Sequence, residues 1–205
     1  MDGYQEPLAE LGGMSGSVRY MLLHDRKQIA AEHLAELTQL INDAYRGISG
    51  SGRWTTEHHL VDGDRISMQD LGAALEDPMF EMLIARDAEQ QAENQILACI
   101  AVKQLNLESI DAIYEFGTFA VRPELQGSGL GKSMLLYAEN WVRSRCSTSQ
   151  VMFQVVVVEA NRDLVRFYQK RGYQLVGESI AYPVHLNVGI PKRNNLDLVV
   201  LRKPA

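Results

Sequence analysis

The chain is 205 residues long, 46% hydrophobic and 22% charged, with two cysteines and a formal net charge of −6. That length buries a complete core as one domain, no apolar run approaches the ~18 residues that span a bilayer, and the acidic balance argues against nucleic-acid binding through a general positive surface. Cys99 and Cys146 form neither a disulfide framework nor a Cys-x-x-Cys pair and read as structural thiols.

Residues 1–17 show little periodicity and lack the basic-then-apolar order of a secretory signal, which predicts a flexible tail on a cytoplasmic protein whose single domain runs from 18 to 205. Ser17 to His24 reads as a first strand. Ala30, Leu34, Leu37, Ile41 and Ala44 then recur at helical steps on one face. Gly47, Gly50 and Gly52 open a loop that passes Trp54 and reaches Gly63, and a shorter helix holds Met68, Leu71, Ala74 and Leu75. Strands at Phe80–Ala85, Ile96–Leu107 and Ile110–Val121 form an antiparallel meander, the first two joined by the polar stretch Asp87 to Asn94. After Pro123 comes a loop with Gly127, Gly129 and Gly131, then a helix with Leu130, Met134, Leu135, Ala138, Trp141 and Val142 inward. Val151 to Val158 is an apolar run of β-formers, which predicts a strand covered on both faces. Asn161 caps a further helix that Gly172 stops, and strands near Tyr173–Gly177 and Leu196–Arg202 close the chain.

The glycine loop is suited to a phosphate, because bare backbone leads into a helix whose first amides lack partners. A P-loop would need glycine where Gln126 stands, and a dinucleotide fingerprint would need its third glycine at Lys132, so both motifs fail by one residue. Gln126-x-x-Gly129-x-Gly131 instead resembles the pyrophosphate-binding signature of the GNAT superfamily of acyl-CoA-dependent N-acyltransferases, Arg/Gln-x-x-Gly-x-Gly/Ala. Downstream, Asn161-x-x-Leu164-x-x-Phe167-Tyr168-x-x-x-Gly172-Tyr173 is similar to that family's second signature, with Leu164 where alanine is common.

The resemblance implies an α/β (α+β) fold in which a mixed, mostly antiparallel sheet of about six to seven strands is flanked by about four helices. It also implies a splayed parallel pair, the strand ending at Val121 and the one starting near Val151, with the pantetheine arm of acetyl-CoA in the gap. Gly117 suits a bulge or close backbone approach there. The cofactor residues implied are Phe119, Ala120, Val121, Gln126, Gly127, Ser128, Gly129, Leu130, Gly131, Lys132, Ser133, Asn161 and Tyr168.

Acyl transfer to an amine needs a base, an oxyanion donor and a proton source for the departing thiolate. Glu115, on the strand beside the cofactor, fits the base, either directly or through a water. A strand amide near Phe119 to Val121 fits the oxyanion donor. Tyr168 matches the family tyrosine that approaches the CoA sulfur, and a phenol stays protonated at neutral pH. Arg53, Trp54, Glu57, His58, Tyr182 and His185 are placed by the resemblance near the acceptor. No metal is expected, since Glu57, His58, His59, Asp62 and Asp64 lack a second ligand group of recognisable spacing. The expected activity is acetyl transfer from acetyl-CoA to a small-molecule or amino-acid-like amine in a ternary complex, with neither nucleic acid nor membrane as partner, and a homodimer is compatible with the chain. A protein lysine or N-terminal acetyltransferase and a non-catalytic acyl-CoA sensor are the alternatives.

Overall fold

The structure, a computed structural model, describes residues 18–23, 31–47, 56–88, 95–106, 112–146 and 150–205. The expected tail, Arg53, Trp54 and most of the polar stretch after Asp87 lie outside the described residues. In chain order the elements are β1 (Val18–Leu22), α1 (Ala31–Arg46), β2 (Val61–Asp62), α2 (Met68–Glu76), β3 (Phe80–Asp87), β4 (Ile96–Gln104), β5 (Ala112–Val121), α3 (Leu130–Arg145), β6 (Val151–Val158), α4 (Arg162–Gln169), β7 (Gln174–Ala181), β8 (Ile190–Pro191) and β9 (Asp197–Pro204). Seven strands form one sheet in the order β1-β3-β4-β5-β6-β9-β7, and β2 with β8 makes a separate two-stranded ribbon. Every neighbouring pair is antiparallel except β5 and β6.

Alternation along the strands divides the core into two layers. Met82 and Ile84 of β3 join Leu37, Ile41 and Leu71 of α1 and α2, while Leu83 and Ala85 join Met134, Ala138 and Phe167 of α3 and α4. The apolar run of β6 is central as expected, between β5 and β9. Among the described residues no helix is long and apolar enough to cross a membrane.

Two irregularities in β5 shape everything near its end. Its parallel register with β6 runs from Ala112↔Val151 to Phe116↔Val155 and goes no further, although β5 continues to Val121 and β6 to Val158. Opposite β4 the register slips between Cys99 and Ala101, so Thr118 and Phe119 together face Ile100. This bulge reverses the alternation: Phe116 packs in the α3/α4 layer, but Ala120 packs in the α1/α2 layer. The expectation placed the special backbone at Gly117; the left-handed residue is its neighbour Thr118, at φ 43°. A β-branched side chain is a costly occupant of that region and persists only where its surroundings hold it. Thr118 is buried, and the Cys99 thiol donates to its carbonyl at 3.6 Å. Burial pushes the Cys99 thiol up to about 12, so it serves as an inert packing group.

A buried carboxylate joins α3 to the sheet. Glu139, 3% exposed, accepts from Lys203 Nζ at 2.7 and 2.9 Å, from Tyr173 Oη at 3.1 Å and from Arg143 at 3.3 Å. Removing one partner of such a group leaves charge poorly compensated in a dry site. Lys203→Met should therefore lower the unfolding free energy by about 2 kcal/mol in urea titration, whereas the same change at the exposed Lys170 should leave the midpoint in place.

Candidate active site

The chain leaves β5 through Arg122, whose amide donates to Leu97 O, and makes a single 3-10 turn at Pro123–Leu125 before the glycine loop. Gly127 and Gly129 take φ values of 83° and 97°, and a Cβ at either would meet nothing within 4 Å, so the loop is bare on its outer side. Gly129 caps α3 without a side-chain hydrogen bond. The first amides of a helix have no carbonyl partners of their own, and here they open toward a cradle free of side chains. Gln126 ties the loop back to β5, its Nε2 donating to Val121 O at 3.3 Å, while its Oε1 is buried with no hydrogen-bond partner. The Leu130 amide meets Ser128 Oγ at 3.4 Å, which leaves those of Gly131 and Lys132 for an anion, and a diphosphate with an amide-bearing arm fits this set: open amides for the anion and an unused acceptor for an amide proton.

From the cradle a cavity of about 1140 Å3 runs into the gap between β5 and β6. Gly117, Thr118, Phe119 and Val121 line one side and Val156, Val157 and Val158 the other. Since the Arg122 amide faces β4, strand alternation turns the Phe119 and Val121 amides toward β6, where pairing has ended. The Phe119 amide donates instead to Tyr45 Oη of α1 at 3.1 Å. Tyr168 is 3% exposed on α4 and lines the same cavity. Its ring lies edge-on to Phe167 and Tyr173, with centroids 5.2 and 5.4 Å away. Burial, with the Tyr45 phenol nearby, pushes its proton affinity far above the ordinary phenol range. It therefore holds its proton throughout the neutral range.

The far end of the cavity is built from the α1/α2 side and the late loops. Glu57, 6% exposed, meets Arg46 Nη1 at 3.1 Å and accepts from the Asn161 side chain. Burial raises its carboxyl above the usual range, and these partners offset part of that rise. Arg46 also donates to Gly63 O at 2.8 Å and Val188 O at 2.6 Å, so every part of its fork is engaged. Glu115 lines the cavity from β5 and accepts from Gln154 Nε2 at 2.8 Å, and Gln154 in turn accepts from Arg202. Arg65, Tyr45, Tyr182 and Leu186 complete this end, with Tyr182 Oη donating to Val188 O at 2.7 Å.

Residues 80–175 match the family model described as an acetyltransferase (GNAT) domain. That stretch is a GNAT acetyltransferase domain. No protein of curated function matches the chain in sequence. Among solved structures, the NatC complex bound to Gag peptide and CoA has a chain similar at 17% identity and a TM-score of 0.62, covering 92% of this chain and 98% of that one. NAA60 from Arabidopsis thaliana in complex with acetyl-CoA is similar at 9% identity and a TM-score of 0.63, with coverage of 92% and 98%. A variant of the spermidine N-acetyltransferase from Vibrio cholerae follows at 14% and 0.60, with coverage of 91% and 93%. At these identities the likeness carries the fold and leaves the acceptor open.

Of the residues expected at the cofactor, Phe119, Val121, Gln126, Gly127, Gly129, Gly131, Lys132 and Tyr168 line the cavity. Ala120 and Leu130 are core residues, 1% and 0% exposed, and Ser133, Asn161 and the exposed Ser128 do not line the cavity. Asn161 caps α4, accepting from the Leu164 amide at 3.3 Å, as its motif position implies. On the acceptor side Glu57 and Tyr182 line the cavity, but His58 and His185 do not: both are exposed, and His58 Nδ1 is satisfied by Thr56 Oγ1 at 2.7 Å. Sequence reasoning missed Tyr45, Arg65 and Arg171. Tyr45 sits one position beyond Ala44 on the buried face of α1, and that placement was the available signal.

The ribbon that closes the acceptor end leaves no room at Gly189. It has φ 101°, and a Cβ there would lie 2.6 Å from Val61 Cγ1, 2.7 Å from Asp62 O and 2.9 Å from Arg46 Nη2. Gly189→Ala should thus push β8 off β2 and loosen the Arg46 anchor, costing about 2–3 kcal/mol. A fall in melting temperature is the expected reading.

Proposed function

We propose that this GNAT domain is an N-acetyltransferase that moves an acetyl group from acetyl-CoA to a primary amine of a small molecule or amino-acid-like compound, by direct attack in a ternary complex. One observation carries the reading: a single cavity joins a bare glycine cradle, a gap where strand pairing has ended, a buried tyrosine and two carboxylates. A module that only sensed acyl-CoA would have no use for carboxylates beyond the gap. The CoA bound in the NatC structure and the acetyl-CoA bound in the NAA60 structure support the donor.

When bound, acetyl-CoA supplies an activated acyl group as a thioester. The loop from Gln126 to Lys132 holds the diphosphate through backbone amides and the positive end of α3. The amides of Phe119 and Val121 face the gap in position to donate to an oxygen that gains charge, the first of them once Tyr45 Oη gives way. Glu115 takes the proton of the incoming ammonium, directly or through a water, on a carboxylate oriented by Gln154 and Arg202. Tyr168 keeps a proton at Oη for the sulfur that leaves, and its packing among aromatic rings fixes where that proton is offered. The Gag peptide bound in the similar NatC structure supports, as a second reading, an acceptor that is a peptide N-terminus.

Thiol release from acetyl-CoA across a panel of amines tests the activity, and the absence of release with every amine would contradict it. Tyr168→Phe should lower kcat by roughly 100-fold, the scale of one positioned acid, with little change in the affinity for acetyl-CoA. An unchanged kcat would make Tyr168 a packing aromatic only.

A further inference from the structure

Two arginines stand at the acceptor end of the cavity, and they are not used alike. Arg46 stands behind the lining, its fork taken up by Glu57, Gly63 and Val188. Arg65 lines the cavity itself, half-buried, with its guanidinium carbon 5.2 Å from the centre of the Tyr45 ring. Among the described residues no carboxylate comes within ion-pair distance of it, although its charge reaches the Glu57 carboxylate, and its side chain donates no hydrogen bond to any of them.

Its backbone is nevertheless held firmly. The Arg65 and Ile66 amides both donate to Asn42 Oδ1, at 2.8 and 3.1 Å, and Asn42 Nδ2 donates back to Ile66 O at 3.0 Å. A planar fork of five donors is thus fixed to α1, laid over an aromatic face and left without an acceptor beside a cavity. Guanidinium groups in such places match the two oxygens of a carboxylate.

The neighbouring charges define the rest of the acceptor. Glu57 is neutralised by Arg46, whereas Glu115 meets only the neutral amide of Gln154. At this end of the cavity Glu115 and Arg65 are therefore an anion and a cation with no ion-pair partner among the described residues. We infer that the acceptor is an amine that also carries a free carboxylate, an α-amino acid or close analogue, with its ammonium toward Glu115 and its acid on Arg65. Ile180, Leu186, Val188 and Leu198 line the remaining wall and favour an apolar side chain on that acceptor. A cation here disfavours polyamines, and the N-terminus of an extended peptide carries no α-carboxylate beside its amine. The inference deepens the acetyl-transfer reading and rests on it for the amine.

Binding separates the two claims. L-leucine, L-methionine and L-phenylalanine are titrated calorimetrically into the full chain saturated with CoA, beside the amides of the same three amino acids. At least one acid should bind more than about 10-fold tighter than its amide, the scale of a charge-assisted pair. Arg65→Gln should bring that ratio near one with CoA affinity retained, and Arg65→Lys should restore part of it. Equal binding of acids and amides, no binding of any, or a ratio that survives Arg65→Gln overturns the inference. So does a loss of CoA affinity in step with the loss of acid binding, which would make Arg65 structural. Acid-selective binding without acetyl transfer would sustain Arg65 as a carboxylate site while rejecting the enzyme, and acetylation of amides as fast as acids would do the reverse.

Discussion

The parting of β5 from β6 after Phe116 and Val155 is the constraint on which the rest of the structure depends. A parallel pair in the middle of a sheet normally uses every amide and carbonyl on its facing edges. Here two strands buried in the core end their pairing early, and the unpaired edges become a slot. The bulge at Thr118 makes the slot usable. By reversing the alternation of β5 it turns Phe119 toward α4 and sends Ala120 into the α1/α2 core, and the left-handed residue is held by burial and by a cysteine thiol on its carbonyl. Strain of this kind, of order 1–3 kcal/mol, is characteristic of functional backbone.

Each half of the molecule contributes its own groups to that slot. The α3/α4 side brings the glycine cradle and Tyr168, braced by the Glu139, Lys203 and Tyr173 cluster behind it. The opposite side brings Glu115, Glu57, Tyr45 and Arg65. Asn161 joins the two, since its side chain both caps α4 and reaches the Glu57 carboxylate, which Arg46 holds against the ribbon. A residue marked by a cofactor motif therefore also fixes the geometry of the acceptor end.

Much of this was legible in the sequence wherever local chemistry decides local structure. The uninterrupted β-formers of β6, the Asn161 cap and the glycines of the loop each carry their own signal, and all fall where they were read. The β2/β8 ribbon carried none, because it is two residues long on each strand and pairs Val61 with Pro191 across most of the chain. The bulge was read at Gly117, the residue with intrinsic freedom, whereas tertiary packing placed the left-handed angle on Thr118. The expected strand Tyr173–Gly177 extends instead over Gln174–Ala181, bent where Gly177 takes φ 78°. Arg65 and Tyr45 could not be found by motif, since their roles come from α1 crossing over the slot. His58 and His185 followed from loop position alone, and their side chains face solvent.

Hydrogen–deuterium exchange of the full chain with and without CoA reports most directly on whether the slot and cradle are one ligand site. Protection on CoA addition should concentrate at residues 117–121 of β5 and 127–133 of the loop and first turn of α3, with β1, β3 and β7 unchanged. Unaltered exchange in both segments at saturating CoA, or protection confined to elements outside the cavity, would contradict the account.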